Sequence, residues 1–308
     1  MNHLFKWTGR DDGEGEQHQR IYHVVNRSLI QHDAFALIGF ASDEGVRRNK
    51  GRIGAAEAPD AIRRQLANLP VHQATSIVDL GTVECHAEQL EQAQAQLAAQ
   101  VEQSLMQKMK PIVIGGGHET ALGSFSGLLD YVLKNEPDKK IGIINFDAHF
   151  DLREAEQVSS GTPFRDAAKR SAQYQQEFHY LCIGVAKHSN TKALFDTAAH
   201  LKCQYIDDQQ LQYLPIDHLI AKMNHFIAKV DLLYVSVDLD VFHASIAPGV
   251  SAPAVKGIGL DMFDTLFHAI HQTGKIKLFD VVECNPRFDL DHRTAKLAAY
   301  IIFNYIFT

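Results

Sequence analysis

The sequence predicts a three-layer α/β/α fold with a mainly parallel central sheet. Short apolar runs alternate along the chain with longer amphipathic segments, and this alternation is typical of parallel strands covered by helices on both faces. Several of the apolar runs lead directly into polar motifs rich in histidine and aspartate. That placement is expected where buried parallel strands reach the carboxyl edge of an open sheet, which is where such folds bind ligands.

The predicted elements follow one another without a long low-complexity linker. The first strand covers 34–39, and a helix starts near Pro59 and continues through Leu66, because proline suits the first turn of a helix. A longer helix runs from about Glu88 to Lys108. The remaining predictions are strands at 111–114, 141–144, 179–183, 231–237 and 276–282, and a final apolar helix at 294–307.

The length and composition fit one globular domain. The chain has 308 residues, of which 45% are hydrophobic, so it can bury a large core. We expect a single domain over residues 1–308. About 1–30 would form an N-terminal arm, since this part carries the acidic and glycine-rich stretch 11–16 and lacks the alternation of strands and helices.

The composition also excludes several classes of protein. A formal net charge of -7 with mixed signs argues against a nucleic-acid surface. There is no uninterrupted apolar stretch of about 18 residues, which argues against a membrane partner, and the start of the chain lacks the apolar core of a signal peptide. The four cysteines show no CxxC spacing, so we expect reduced thiols and a cytoplasmic protein.

Three motifs concentrate the residue types that bind metals. They are Gly-Gly-Gly-His-Glu at 115–119, Asn-Phe-Asp-Ala-His-Phe-Asp at 145–151 and Ser-Val-Asp-Leu-Asp at 236–240. Alternate residues of an extended segment point the same way, so the second and third motifs would each present a row of ligands. The candidate ligands are His118, Asp147, His149, Asp151, Asp238 and Asp240.

The charge of these candidates predicts two metal ions. Four aspartates supply more negative charge than one divalent cation neutralises, and buried carboxylates at this density need cations. A lone aspartate after a strand usually caps a turn, but three neighbouring motifs make that explanation insufficient. Oxygen ligands with some imidazole favour manganese over zinc, with nickel, cobalt and iron as alternatives.

The order of the motifs resembles that of the arginase/agmatinase (ureohydrolase) family. Gly-Gly-x-His, Asp-Ala-His-x-Asp and Ser-Val-Asp-x-Asp are its signature set, and Glu283 in Val-Val-Glu-Cys-Asn-Pro supplies a fourth element. Within the family, the stretches 39–52, 160–164 and 285–289 resemble the formimidoylglutamase branch. Gly117 and Glu119 depart from the Gly-Gly-Asp-His-Ser motif of arginases and agmatinases.

The resemblance implies an arginase-like fold and a binuclear manganese centre. One ion would be held by His118, Asp147, Asp151 and Asp238, and the other by Asp147, His149, Asp238 and Asp240, with Asp147 and Asp238 bridging. A hydroxide between the ions would attack the formimidoyl carbon of N-formimidoyl-L-glutamate and yield L-glutamate and formamide, in histidine catabolism. The alternatives are another ureohydrolase acting on a guanidino acid or an agmatine-like substrate, and a ligand-binding regulator without turnover.

Two residues are candidates for catalytic roles. Glu283 would orient the planar, cationic amidinium with its carboxylate. Arginases and many agmatinases have a proton-shuttling histidine just before a Gly-x-Pro stretch, where this chain has Ser160. The proton for the leaving amine would then come from Asp151 or from solvent.

The two carboxylates of the substrate require cationic or amide donors. Arg153 lies two residues beyond Asp151, and its guanidinium could bind a carboxylate through two hydrogen bonds. Arg48 and Asn49 in the cationic stretch 47–52, and Arg287 after the Glu283 strand, are further candidates. We also expect a homo-oligomer that acts on a small molecule.

Overall fold

The eight described strands form one parallel sheet. The computed structural model describes residues 3–26 and 33–308, so part of the predicted arm at about 1–30 lies outside the described residues. The strand order is β2-β1-β3-β8-β7-β4-β5-β6, and every pairing is parallel. The strands are β1 (Phe35–Ala41), β2 (Ile77–Glu84), β3 (Lys110–Ile114), β4 (Ile141–Phe146), β5 (His179–Val185), β6 (Gln204–Asp207), β7 (Leu232–Asp238) and β8 (Ile276–Val282).

Helices cover both faces of the sheet. They are α1 (Ile21–Val24), α2 (Glu44–Arg48), α3 (Ala58–Leu66), α4 (Leu90–Met106), α5 (Thr120–Asn135), α6 (Pro163–Gln173), α7 (Lys192–His200), α8 (Asp208–Tyr213), α9 (Ile216–Ile227), α10 (Leu260–His271) and α11 (Arg293–Phe307). Among the described residues, no helix has the length and apolar character needed to cross a membrane.

Alternating residues of the central strands feed two separate cores. Ile144 and Phe146 of β4 pack in a core with α3, α9, α10 and α11, whereas Ile141 and Ile143 pack in a second core with α4, α5 and α6. Strands buried on both faces in this way require layers of helices on either side. The predicted three-layer α/β/α fold with a parallel sheet is therefore confirmed.

The predicted elements that carry the motifs are also confirmed. The strands preceding His118, Asp147, Asp238 and Glu283 all form, and the predicted helices correspond to α3, α4 and α11 with ends shifted by a few residues. Two edge strands, β2 and β6, were not predicted. Both contain polar residues within the strand, and β6 is largely accessible to solvent.

The strand order creates the crevice at which the motifs meet. β7 and β8 come late in the chain but insert between β3 and β4, so the four motif-bearing strands are adjacent. Parallel strands end at the same edge of the sheet, and ligands of open α/β sheets bind where the strand order changes direction. This topology brings together motifs that are far apart in the sequence.

The described part of the N-terminal arm packs against the edge strand β2. His3 pairs with Thr82, and Val25 pairs with Ile77. The indole Nε1 of Trp7 donates to Asp79 Oδ2 over 2.8 Å. The other oxygen of Asp79 accepts from the buried guanidinium of Arg63 at 2.7 Å, so the arm contacts a buried ion pair rather than only the surface.

Candidate metal centre

Tight turns, rather than extended rows, bring the candidate ligands together. β4 ends at Phe146, and the following residues bend, with Asp151 in the left-handed region at φ 49°. Asp147 Oδ1 accepts the His149 N–H at 2.7 Å, and Asp238 Oδ1 accepts the Asp240 N–H at 2.7 Å. Such contacts between a carboxylate and the backbone two residues on are typical of aspartate turns. The prediction of extended rows was therefore wrong, although the side chains do converge.

The first group of ligands surrounds one nitrogen of His118. Nδ1 lies 3.1 Å from an oxygen of Asp147 and 3.0 Å from oxygens of both Asp151 and Asp238. This nitrogen is buried and has no hydrogen bond of good geometry. An imidazole nitrogen directed at three carboxylates is a donor set that suits a divalent cation, so these residues fit a metal ion.

The second group lies beside the first and shares one member with it. His149 Nδ1 is 3.0 Å from Asp240 Oδ2 and 3.4 Å from Asp147 Oδ1. The other oxygen of Asp240 is buried without a hydrogen bond. Asp147 belongs to both groups, as expected of a bridging ligand. Among the described residues, Asp238 groups only with the first set, so its bridging role stays a prediction. Its Oδ1 accepts the Asp240 N–H.

Burial concentrates negative charge in this cluster. Burial raises the pKa of Asp238 well above its usual range, and neighbouring Asp240 and Asp147 raise it further. Burial and the charge of Asp147 raise the pKa of Asp151 to about 6. Burial alone would lower the pKa of His118, but the three carboxylates that face its ring raise it well above its usual range. A bound cation would compensate the same negative charge that otherwise draws protons into the site.

A buried polar chain supports His118 from behind. Its Nε2 lies 3.1 Å from Ser236 Oγ, which orients the ring so that Nδ1 faces the carboxylates. Asp280 on β8 is fully buried, and the hydroxyls of Ser236 and Tyr234 oppose the rise that burial causes in its pKa. Sequence reasoning missed Asp280, and the available signal was a single carboxylate between the apolar residues Phe279 and Val281 of β8.

Glu283 is held beside the cluster by two hydrogen bonds. Its Oε1 accepts the backbone N–H of His118 at 2.8 Å, and its Oε2 accepts the hydroxyl of Ser251. Its backbone lies in the left-handed region at φ 68°, a strained conformation that is common at functional sites. Burial raises the pKa of Glu283 to about 8, and the charge of Glu119 contributes. The carboxylate is therefore fixed in position.

Glu119 connects the first motif to the loop after β1. Its Oε1 accepts from Ser42 Oγ at 2.7 Å and from the Gly45 N–H at 2.9 Å, while its Oε2 is buried without a hydrogen bond. A Cβ atom at position 117 would lie 2.2 Å from that Oε2. Gly117 and Glu119 are thus physically linked departures from the arginase motif, because the carboxyl group occupies the space that a side chain at 117 would need.

The candidate substrate-binding cations have different partners. Every guanidinium nitrogen of Arg48 donates to a carboxylate or a carbonyl, through Glu44, Glu91, Glu88 and Val158. The guanidinium of Arg48 is therefore fully engaged within the chain and is not available to a substrate carboxylate. Arg287 donates to Glu57 at 2.8 Å in an exposed pair, and a role for it in binding substrate stays a prediction.

Arg153 and Asn49 contact each other at the exposed side of the β4 loop. Arg153 Nη1 donates to Asn49 Oδ1 at 2.8 Å. Asn49 Nδ2 in turn donates to the buried Ser160 Oγ at 3.2 Å. Within 3–26 and 33–308, no carboxylate pairs with Arg153, so its charge remains available to a ligand.

Comparison with known proteins identifies the family. A family model described as Arginase, the arginase family, matches residues 33–308. The chain belongs to the arginase family. This assignment agrees with the eight-stranded parallel sheet and with the histidine and aspartate cluster at its carboxyl edge.

Individual arginase-family relatives are similar along nearly their whole length. A formimidoylglutamase from Vibrio parahaemolyticus is 45% identical, with 97% of this chain and 92% of the relative covered. A formimidoylglutamase from Ralstonia nicotianae is 40% identical, with 96% of this chain and 93% of the relative covered. Among solved structures, Trypanosoma cruzi formiminoglutamase with Mn²⁺ aligns with a TM-score of 0.81 at 23% identity, covering 94% of this chain and 97% of that chain. Bacillus subtilis formimidoylglutamase aligns with a TM-score of 0.82 at 21% identity, and the alignment covers 94% of this chain and 91% of that chain.

The shared position of Asp147 predicts unequal effects of ligand removal. We expect Asp147→Ala to lose both divalent ions, because this carboxylate faces both groups, whereas His149→Ala should lose mainly one. The metal-to-protein ratio, measured by mass spectrometry after loading and desalting, tests this difference. The exposed Asp138→Ala is the matched control and should retain both ions. Two ions at full occupancy in Asp147→Ala would contradict the bridging assignment.

The buried carboxyl of Glu119 predicts a pH dependence of stability. Burial raises its pKa from 4.5 to about 7 in the folded chain. The folded state therefore binds more protons than the unfolded state, so ionisation of Glu119 destabilises the fold progressively as pH rises from about 4.5 through about 7. Glu119→Gln should remove this effect and gain about 3 kcal/mol relative to wild type between pH 4.5 and 8.

Urea unfolding of the chelated protein across this pH range measures the effect. The comparison between variant and wild type isolates Glu119 from the other titrating groups. The exposed Glu156→Gln is the control and should follow the wild-type pH dependence. Parallel curves for Glu119→Gln and wild type would show that Glu119 is ionised throughout the range.

Proposed function

We propose that the chain hydrolyses N-formimidoyl-L-glutamate to L-glutamate and formamide at a binuclear manganese centre, as a step of histidine catabolism. The observation that carries this proposal is the paired cluster of four aspartates and two histidines with the Glu283 carboxylate held next to it. The identity of 40% to 45% with proteins named formimidoylglutamase supports the choice of substrate.

The two ligand groups define where the ions would bind. His118, Asp147, Asp151 and Asp238 would hold one ion, and Asp147, His149 and Asp240 the other. Carboxylate-rich ligands with imidazole favour manganese. Two divalent ions held there would supply a hydroxide nucleophile near neutral pH by lowering the pKa of bound water.

Glu283 binds and orients the formimidoyl group. Each of its carboxylate oxygens accepts one hydrogen bond from the chain, from His118 N–H and from Ser251, and each keeps a further lone pair. A planar amidinium can donate two parallel N–H bonds to those positions. Its positive charge favours the ionised carboxylate and opposes the burial that raises the pKa of Glu283 to about 8. Because the carboxylate is clamped from two sides, the electrophilic carbon is presented to the cluster in one orientation.

Asp151 is our candidate for passing a proton to the leaving amine. Its side chain is 12% exposed, compared with 0% for Asp147 and 3% for Asp238, so it lies on the open side of the cluster. Ser160 occupies the position of the family histidine, but it is buried and hydrogen-bonded to Asn49. A hydroxyl also has too high a pKa to act as a general acid near neutral pH.

Arg153 binds a substrate carboxylate. It lies two residues beyond Asp151, is exposed, and has no carboxylate partner among the residues that the structure describes. Arg48 and Arg287, in contrast, already pair with Glu44, Glu91 and Glu57. Arg52 also lacks a carboxylate partner among the described residues, but its guanidinium donates to the carbonyls of Val250 and Ser251. Arg153 is therefore the arginine beside Asp151 whose charge we assign to the substrate.

A substrate panel tests the proposed activity. The manganese-loaded protein should release formamide from N-formimidoyl-L-glutamate at a kcat/KM well above its values for arginine, agmatine and guanidinobutyrate, because the Arg153 pocket selects a carboxylate near the amidine. A preference for any of the guanidino compounds would assign a different ureohydrolase activity. Unchanged turnover after stringent chelation would contradict metal-dependent hydrolysis.

Removal of Arg153 tests the binding of the substrate carboxylate. Arg153→Ala should lower kcat/KM for N-formimidoyl-L-glutamate by about thirtyfold, the low end of the roughly 2 to 5 kcal/mol that loss of one charged partner costs. Metal content should be unchanged, as should the activity of the exposed control Arg64→Ala. For a formimidoyl amine without carboxylates, the kcat/KM of Arg153→Ala should be close to that of wild type. Equal losses for both compounds would assign Arg153 to support of the fold or the cluster.

A further inference from the structure

We infer that Asn49 is a positioning residue that holds the Arg153 guanidinium for a substrate carboxylate without neutralising its charge. This inference rests on the proposed function and deepens it, since it concerns how the chain selects an acidic substrate. Its physical basis is the contrast between a neutral amide and the carboxylates that pair with the neighbouring arginines.

The orientation of the Asn49 amide follows from its two partners. A guanidinium only donates hydrogen bonds, so the amide oxygen must face Arg153, as it does at 2.8 Å. The amide nitrogen then faces Ser160 Oγ at 3.2 Å. The backbone N–H of Arg153 donates to the carbonyl of Gly161 at 3.0 Å, which closes the ring of contacts from the other side. Arg153 is thus held by one hydrogen bond at its backbone and by another at its guanidinium.

Asn49 is itself connected by hydrogen bonds to the motif after β3 that carries His118. Its N–H donates to the carbonyl of Gly45 at 2.9 Å at the end of α2, and the N–H of Gly45 donates to Glu119 at 2.9 Å. A Cβ atom on Gly161 would approach the Asn49 amide to 3.2 Å, so the amide lies directly over that glycine. The position of Arg153 is therefore set from the metal-binding motif rather than by solvent.

The charge pattern of the surrounding loop distinguishes Arg153 from its neighbours. Arg47 and Arg48 both pair with Glu44, and Arg287 pairs with Glu57. Arg52 donates instead to the backbone carbonyls of Val250 and Ser251. Arg153 has only the uncharged Asn49 as a side-chain partner among residues 3–26 and 33–308. A carboxylate at position 49 would make an equally good hydrogen bond but would compete with the substrate for the same charge.

Two substitutions of Asn49 separate the effect of side-chain shape from that of charge, because the two effects predict opposite orders of severity. Asn49→Asp preserves the size of the side chain and its acceptor oxygen, so a purely structural role predicts that it is milder than Asn49→Ala. We expect the reverse. Asn49→Ala should raise KM for N-formimidoyl-L-glutamate about tenfold through loss of one hydrogen bond to a charged group. Asn49→Asp should raise it about thirtyfold, as much as removal of the Arg153 charge.

A double variant tests whether Asn49 acts through Arg153. In the Arg153→Ala background, Asn49→Ala and Asn49→Asp should change KM by less than about twofold, because the group they position or neutralise is gone. The matched control is Asn135→Asp at the far end of α5, which makes the same chemical change on an exposed residue and should leave KM unchanged. A full additional effect in the double variants would overturn the inference.

A binding measurement keeps the test independent of turnover. Calorimetric titration of the metal-loaded wild type with glutarate, a dicarboxylate, should show binding that Asn49→Asp weakens more than Asn49→Ala, while uncharged glutaramide should not bind. If wild type binds glutarate in this pattern but does not hydrolyse N-formimidoyl-L-glutamate, the proposed function fails and the role of Asn49 stands. Absence of glutarate binding to wild type, or tighter binding to Asn49→Asp than to Asn49→Ala, would overturn the inference.

Discussion

Desolvation of four aspartates at one edge of the sheet is the constraint on which the rest of the site depends. Asp147, Asp238 and Asp240 are almost completely buried, and Asp151 nearly so, within a few ångströms of two imidazoles. Carboxylates in such an environment are stable only if positive charge or protons compensate them. Each surrounding feature limits how that compensation occurs. Backbone N–H groups engage one oxygen of Asp147 and one of Asp238, which fixes the orientation of both carboxylates towards the imidazoles.

The same cluster also fixes the residues that we propose contact the substrate. Glu283 is tied to the backbone of His118, and Glu119, the next residue in the chain, is tied to the loop that carries Asn49. One short motif after β3 therefore contributes a candidate metal ligand, a support for the carboxylate that we propose binds the amidine, and an anchor for the loop beside Arg153. Displacement of this motif would disturb binding of the metals and of the substrate together, so the two functions are mechanically coupled.

Local sequence patterns predicted most strands and the cluster of candidate ligands. They did not predict ion pairs between residues that are distant in the sequence. The motif-bearing strands are rich in apolar residues, and the carboxyl ends of parallel strands meet at one edge, so the sequence predicted that the six candidate ligands converge. β2 was missed because Asp79 lies within it, and its burial depends on pairing with Arg63. The engagement of Arg48 similarly depends on Glu91, 43 residues away. Such pairs are set by helix packing, which a single sequence does not encode locally.

The contact between Trp7 and Asp79 has a practical consequence. Trp7 is the only tryptophan of the chain, and its indole N–H donates to a carboxylate that is also bound to buried Arg63. Indole emission is sensitive to the polarity and charge of its surroundings. The intrinsic fluorescence of the native protein is therefore a built-in optical reporter of whether the N-terminal arm is docked on the edge of the sheet, and it requires no attached dye.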